Sequence, residues 1–147
     1  MTSKAVHYIL IFSQMNKSIT ELFALRGLLV GLSLLVLFHL LVLIGVVPFE
    51  VVWGGKMSEV SQMQRLETIS ILVSIFMLVV IAIRAQIINI NISGRVITII
   101  LWVMFVFFCL NTIGNLLSNN SFEKLVFAPL TLLLALFTYR VVRSGRQ

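Results

Sequence analysis

The stretch GLLVGLSLLVLFHLLVLIGVV, residues 27–47, contains no charged residue and a single titratable side chain, His39, near its middle. A transmembrane helix needs about 20 predominantly apolar residues, so this run is long enough to cross a bilayer. The imidazole of His39 then needs a hydrogen-bonding partner or a cavity, because hydrocarbon cannot hydrogen-bond. The run therefore predicts a membrane span and raises the question of what surrounds His39.

The composition of the whole chain supports a membrane location. Hydrophobic residues make up 60% of the 147 residues, and the mean hydropathy is +1.12. Only 11% of the residues are charged, compared with about 25% in a typical soluble domain. Soluble monomers rarely expose large apolar patches, so a soluble fold of this size is excluded. The sequence predicts one integral membrane domain over residues 1–147.

Four apolar runs are long enough to be spans. They predict an all-α, polytopic four-helix bundle with spans at about 27–47, 66–83, 96–117 and 125–142. Pro48 is expected to end the first span, since proline cannot continue the helical hydrogen bonds. Residues 2–25 contain an apolar segment too short to span, so an interfacial amphipathic helix is predicted there; a disordered tail is the alternative.

Basic residues are distributed unevenly between the two sides that four spans imply. Eight lie in the N-terminal segment, in the loop between the second and third spans, and at the C-terminus, whereas three lie on the opposite side. Because lysine and arginine are enriched in cytoplasmic segments, both termini are predicted to be cytoplasmic. We therefore expect a multi-pass protein of the cell's inner (plasma) membrane with a long external loop over residues 48–65.

Polar residues fall mainly in the external half of the predicted bundle. The carboxylate of Glu67 is expected to reach solvent at the membrane boundary, whereas asparagine is unfavourable toward lipid and must face the bundle interior. An outward-facing polar pocket is one interpretation, and hydrogen bonds that only hold the helices together are the other. The candidate ligand-binding or pore residues are His39, Glu50, Trp53, Glu67, Ser70, Asn111 and Asn115.

Small residues at helical spacing predict where the helices approach each other closely. Gly27 and Gly31 form a GxxxG pair, which favours tight contact between spanning helices. Serine and alanine at comparable spacings favour the same packing. The predicted helix-packing residues are Gly27, Gly31, Ser74, Gly114 and Ala135.

No catalytic, metal or cofactor motif is recognisable. His7 and His39 are far apart in the sequence, and the single cysteine, Cys109, has no partner at metal-ligand spacing. An intramembrane enzyme would have to use His39 with Glu67 or Glu50 as an acid–base pair, and a nucleophile motif is absent. We therefore predict a protein that is not an enzyme and has no metal or cofactor.

Two functions remain from the sequence. The first is binding or translocation of a small molecule, an ion or a lipid in the outward-facing pocket, with a homo-oligomer expected because one short chain has few helices to enclose a path. The second is a non-catalytic accessory or assembly subunit of a larger membrane complex. The net charge of +6 is explained by topology and by contact with the lipid bilayer. A basic face with interleaved aromatics is absent, so nucleic acid is not an expected partner.

Overall fold

The computed structural model describes residues 3–48 and 60–144, and side chains for residues 19–48 and 61–144. The described chain forms four helices: α1 (Ser3–Leu43), α2 (Val60–Arg84), α3 (Gly94–Leu117) and α4 (Ala128–Ser144). A π-helical turn, Glu123–Phe127, leads directly into α4. The described ranges contain no strand, so the predicted all-α class is confirmed.

Each helix carries a segment that is long and apolar enough to cross a membrane. These segments are Ile19–Leu43, Ser61–Arg84, Gly94–Leu117 and Glu123–Ser144, with hydropathy between 2.0 and 2.6. At most 39% of the most apolar window in each is buried within the bundle. Apolar side chains that remain exposed on all four helices are suited to contact with lipid, which identifies a small multi-pass membrane protein.

The first span ends earlier than predicted. Helix α1 stops at Leu43 rather than at Val47, and Gly45 adopts a left-handed backbone with φ of 78°. The Val46 amide donates to the Leu41 carbonyl at 2.9 Å, which closes the helix in a Schellman motif. The glycine, and not Pro48, therefore ends this helix.

The same span also begins earlier than predicted. Helix α1 is continuous from Ser3 to Leu43, and its apolar segment begins at Ile19. Ala24 and Leu25 are buried in the core of the bundle. The end of the predicted interfacial segment, 2–25, is therefore part of the first spanning helix. An interfacial position for the residues before Ile19 stays a prediction.

Helix packing leaves one side of the bundle loose. Helix α1 packs against both α2 and α4, and α3 packs against α4, whereas α2 and α3 have only a small mutual contact. We call this loose boundary the α2–α3 seam. The core is completed by large buried side chains from all four helices, including Leu28, Ile81, Leu101 and Leu134.

The predicted packing residues occupy different environments. A Cβ at Gly27 would overlap the edge of the Phe137 ring, and one at Gly31 would lie 2.7 Å from Cδ2 of Leu134, so both glycines allow α1 to approach α4. Ala135 and Ser74 are buried. A Cβ at Gly114, in contrast, would meet no atom within 4 Å.

Gly114 therefore has no packing role against the described helices. The buried face of α3 consists of Ile97, Leu101, Met104, Phe108 and Thr112. Gly114 lies on the exposed part of the same helix, beside the lipid-facing Ile113. The prediction that Gly114 is a helix-packing residue is therefore wrong, because its position lies outside the buried face of α3.

Polar contacts tie the helices together at the end of the bundle where the first span begins and α4 ends. Arg84 of α2 pairs with Glu21 of α1 at 2.5 Å. Arg140 of α4 donates from Nε to the hydroxyl of Thr20 at 3.0 Å. We call this end the terminus half and the opposite end, which contains His39, the cavity half.

Candidate functional site

A cavity of about 390 Å³ lies in the cavity half, among all four helices and the π-helical turn. It brings together five of the seven predicted ligand-binding or pore residues. These are His39 from α1, Glu67 and Ser70 from α2, and Asn111 and Asn115 from α3. Glu50 and Trp53, the other two, lie outside the described residues.

An acid–base pair joins α1 to α2 at the wall of this cavity. Nδ1 of His39 lies 2.7 Å from Oε2 of Glu67. The side chain of Glu67 is 0% exposed, and that of His39 is 19% exposed. At this distance one proton must lie between the nitrogen and the oxygen, because two lone pairs would repel each other. The answer to the question raised by His39 is therefore a buried carboxylate on the neighbouring helix.

The expectation that Glu67 is solvated at the membrane boundary is wrong. Helix α2 begins at Val60, so nearly two helical turns separate Glu67 from the start of the helix. The helix also turns this residue toward α1, where Met63, one turn earlier, packs against Val42. In the sequence, Glu67 lies at the start of the apolar run 66–83, which suggests a boundary position. The helix itself begins earlier, at Val60, so Glu67 lies well inside it.

Hydrogen bonds between α3 and α4 form the opposite wall. The hydroxyl oxygens of Thr112 and Thr131 lie 3.0 Å apart, and Nδ2 of Asn115 donates to the Thr131 hydroxyl at 3.4 Å. Thr131 in turn donates to the carbonyl of Phe127 at 2.7 Å. Asn115 thus helps to hold α3 and α4 together. This agrees with the interpretation in which the polar residues form hydrogen bonds between helices.

Three polar groups at the cavity keep hydrogen-bonding capacity. Nδ2 of Asn111 donates to the carbonyl of Phe107 at 2.8 Å, which leaves the amide oxygen Oδ1 as its free end. Ser70 and Ser74 also line the cavity, and neither hydroxyl has a hydrogen-bond partner among the described residues. Ser74 is only 8% exposed. These groups can therefore hydrogen-bond to a ligand without breaking an existing contact between helices.

Aromatic rings form much of the remaining wall. Phe38 packs edge-on against Phe127, with ring centroids 4.8 Å apart, and also lies 5.8 Å from the ring of His39. Phe107 and Phe108 line the side contributed by α3. The lower wall is aliphatic and includes Leu32 and Met77. The cavity thus combines one polar side with a larger apolar surface.

Glu123 is a cavity residue that sequence reasoning missed. Glu123 precedes the predicted fourth span, 125–142, but it begins the π-helical turn and is buried at the cavity. Glu123, Phe127 and Thr131 follow one another at four-residue spacing, and all three line the cavity. Extending the inward face of the fourth span upstream by one turn would have found the acid.

Two of the described cavity-lining residues are exposed at the α2–α3 seam. Ile69 of α2 and Phe107 of α3 both line the cavity and are both exposed. Since these exposed side chains are apolar and belong to spanning helices, they are suited to lipid rather than to water. The exposed residues among the described lining therefore belong to two helices that have little contact with each other.

A second concavity, of about 660 Å³, lies at the connection between α2 and α3 in the terminus half. It is lined mainly by exposed residues of this connection, including Asn89 and Asn91. Arg84, at its edge, already pairs with Glu21. It contains none of the predicted site residues, and its walls provide little enclosure.

Comparisons of the chain with models of known protein families, with curated proteins and with solved structures found no match. The class of protein therefore rests on the fold and composition: a small multi-pass membrane protein with four spanning helices. Within the described side chains, no group of three or more histidine, cysteine, aspartate or glutamate residues could hold a metal ion. The chemistry of the candidate site is that of its acid–base pair and its neutral polar groups.

Proposed function

We propose that this protein binds an amphiphilic small molecule or lipid in the cavity and that the ligand enters from the bilayer through the α2–α3 seam. The observation that carries the proposal is the pair of the partly buried His39 with the fully buried Glu67, beside an otherwise largely apolar cavity. An amphiphile matches this cavity, because its polar group can contact the His39–Glu67 pair while its apolar body contacts the aliphatic wall that includes Leu32 and Met77.

The size and lining of the cavity support ligand binding. Small-molecule sites commonly enclose about 300–1,000 Å³ and combine apolar walls with a few placed polar groups. The cavity volume of about 390 Å³ falls in this range. Ser70, Ser74 and Asn111 provide polar groups that helix packing does not use.

Topology and assembly belong to the same proposal. The excess of basic residues on one side supports cytoplasmic termini in the plasma membrane, which would place the cavity half toward the outside. A homo-oligomer would convert binding into translocation, since one chain leaves the terminus half filled by core side chains. The proposal includes no catalytic step. The accessory-subunit alternative would be supported by a cavity that holds no ligand and by a copurifying partner.

Native mass spectrometry of the protein released from lipid nanodiscs tests this proposal. We expect the wild type to retain a bound amphiphile and Ser74→Phe, which fills the cavity, to lose it. Leu72→Phe is the matched control, because Leu72 lies on the same helix but is exposed. Equal occupancy in both variants, or an empty wild type, would contradict ligand binding in this cavity. Thermal unfolding of each variant establishes that it is folded.

A further inference from the structure

We infer that the ligand of this cavity carries a protonated amine on an apolar body, an inference that rests on the proposed function and names its ligand class. The decisive juxtaposition is a buried Glu67 carboxylate, free hydrogen-bond acceptors and aromatic rings around one cavity. Each of these three features favours a cation over an anion, and each is contributed by a different set of residues.

The first feature is the charge of the cavity wall. The titratable side chains that line it are His39, Glu67 and Glu123, and no lysine or arginine is found among its described lining residues. Two of these three side chains are acidic, and among the described lining residues only the imidazole of His39 can carry a positive charge. Because charge–charge interactions are stronger in a low-dielectric interior than in water, this wall attracts a cation and repels an anion.

The second feature is the direction of the available hydrogen bonds. An ammonium group has three donors and no acceptor, so it needs acceptors around it. Oδ1 of Asn111 can only accept, and the hydroxyls of Ser70 and Ser74 can accept as well. Ser74 is the most enclosed of these residues, at 8% exposure, and its hydroxyl lines the cavity without a hydrogen-bond partner among the described residues. A donor from a ligand in the cavity could therefore hydrogen-bond to this oxygen without displacing a protein partner.

The third feature is the surface on which the rest of the ligand would lie. Phe107, Phe108 and Phe127 line the cavity, and aromatic faces attract ammonium groups through cation–π interactions. Below them, Leu35 and Met77 provide aliphatic surface. A headgroup beside Glu67 with an apolar body directed to this floor satisfies both regions. The ligand class is therefore a cationic amphiphile with a small amine headgroup.

Three probes with the same alkyl chain separate charge from hydrophobicity. Hexylamine, 1-hexanol and hexanoate are titrated calorimetrically into the protein in nanodiscs of zwitterionic lipid, with empty nanodiscs as the partition blank. We expect hexylamine to bind roughly tenfold more tightly than 1-hexanol, as one charged hydrogen bond would provide. Hexanoate is expected to bind most weakly.

Two acid-to-amide variants provide a matched control. Glu67→Gln removes the carboxylate at the cavity and is expected to abolish the preference for hexylamine. Glu21→Gln makes the same chemical change in the terminus half and is expected to leave the preference intact. If Glu67→Gln fails to fold, Asn111→Leu removes the amide oxygen from a half-exposed position and is expected to weaken hexylamine more than 1-hexanol.

The outcomes distinguish the two proposals. If 1-hexanol binds as tightly as hexylamine and Ser74→Phe abolishes both, the cavity binds amphiphiles but the amine class is overturned. If hexanoate binds most tightly, the charge argument is wrong. If no probe binds, or if Ser74→Phe leaves binding of every probe unchanged, the cavity is not the site and the proposed function fails as well.

Discussion

Two acid–base pairs join the same two helices at opposite ends of the bundle. In the terminus half, Arg84 pairs with Glu21, and the two side chains are 29% and 22% exposed. In the cavity half, His39 pairs with Glu67, whose side chain is completely buried. The two pairs connect α1 to α2 in the same way, but they differ in their access to solvent and in their neighbours. The comparison shows that burial of the carboxylate, rather than the pairing itself, distinguishes a candidate site from a structural contact between helices.

The packing around the two pairs follows the same division. In the terminus half, Gly27 and Gly31 allow α4 to approach α1, and aliphatic side chains fill the interior. In the cavity half, the seam between α2 and α3 stays loose and the interior contains about 390 Å³ of open volume. The terminus half is therefore closely packed, whereas polar groups in the cavity half keep unused hydrogen-bonding capacity.

Removing one partner from each pair should give the largest difference between the halves. Glu67→Ala leaves His39 without its buried partner, and breaking a buried pair in this way costs about 3–5 kcal/mol. Glu21→Ala removes the more exposed carboxylate, and such a pair contributes about 1 kcal/mol or less. The free energy of unfolding, measured by denaturant titration in mixed micelles, checks both values. Losses of equal size would show that the two pairs have the same role.

Two glycine substitutions should change stability in opposite directions. Gly27→Ala places a Cβ against Phe137, and overpacking of this kind costs about 1–3 kcal/mol. Gly114→Ala meets no neighbouring atom and should stabilise α3 by about 0.5–1 kcal/mol through helix propensity. Thermal unfolding of the two variants in the same detergent is the measurement. A gain of stability in Gly27→Ala would mean that α1 and α4 are less closely packed than described.

The ends of α1 and α2 allow a smaller and more local test. Both helices end in a Schellman motif, with Gly45 in the left-handed region at one and Gln86, with φ of 58°, at the other. A residue with a side chain is strained there by about 1 kcal/mol. Gln86→Gly should therefore raise the unfolding temperature, and Gly45→Ala should lower it. A stabilising Gly45→Ala would show that α1 does not end in this conformation.

The sequence was sufficient for the all-α class, because this follows from hydropathy and helix length, but it placed the carboxylate of Glu67 in solvent although the residue is buried. Hydropathy could place His39, Ser70 and Asn111 at similar depth, but it could not show that His39 contacts Glu67 across two helices. Glu123 was missed because it precedes the apolar run that predicts the fourth span, although the π-helical turn continues that helix upstream with the same face inward. The seam could not be predicted either, because lipid-facing and helix-facing apolar residues look alike in a sequence.

The central claim is that the His39–Glu67 pair serves a ligand rather than the stability of the bundle. The double variant His39→Leu/Glu67→Leu tests it, because a buried pair replaced by apolar residues of similar size is often neutral or stabilising. Its free energy of unfolding and its bound amphiphile, read by native mass spectrometry, are compared with those of the wild type. We predict a variant that is at least as stable as the wild type and has lost the ligand. A destabilised variant, together with a wild type that contains no ligand, would contradict this claim. The pair would then be a stabilising contact between α1 and α2.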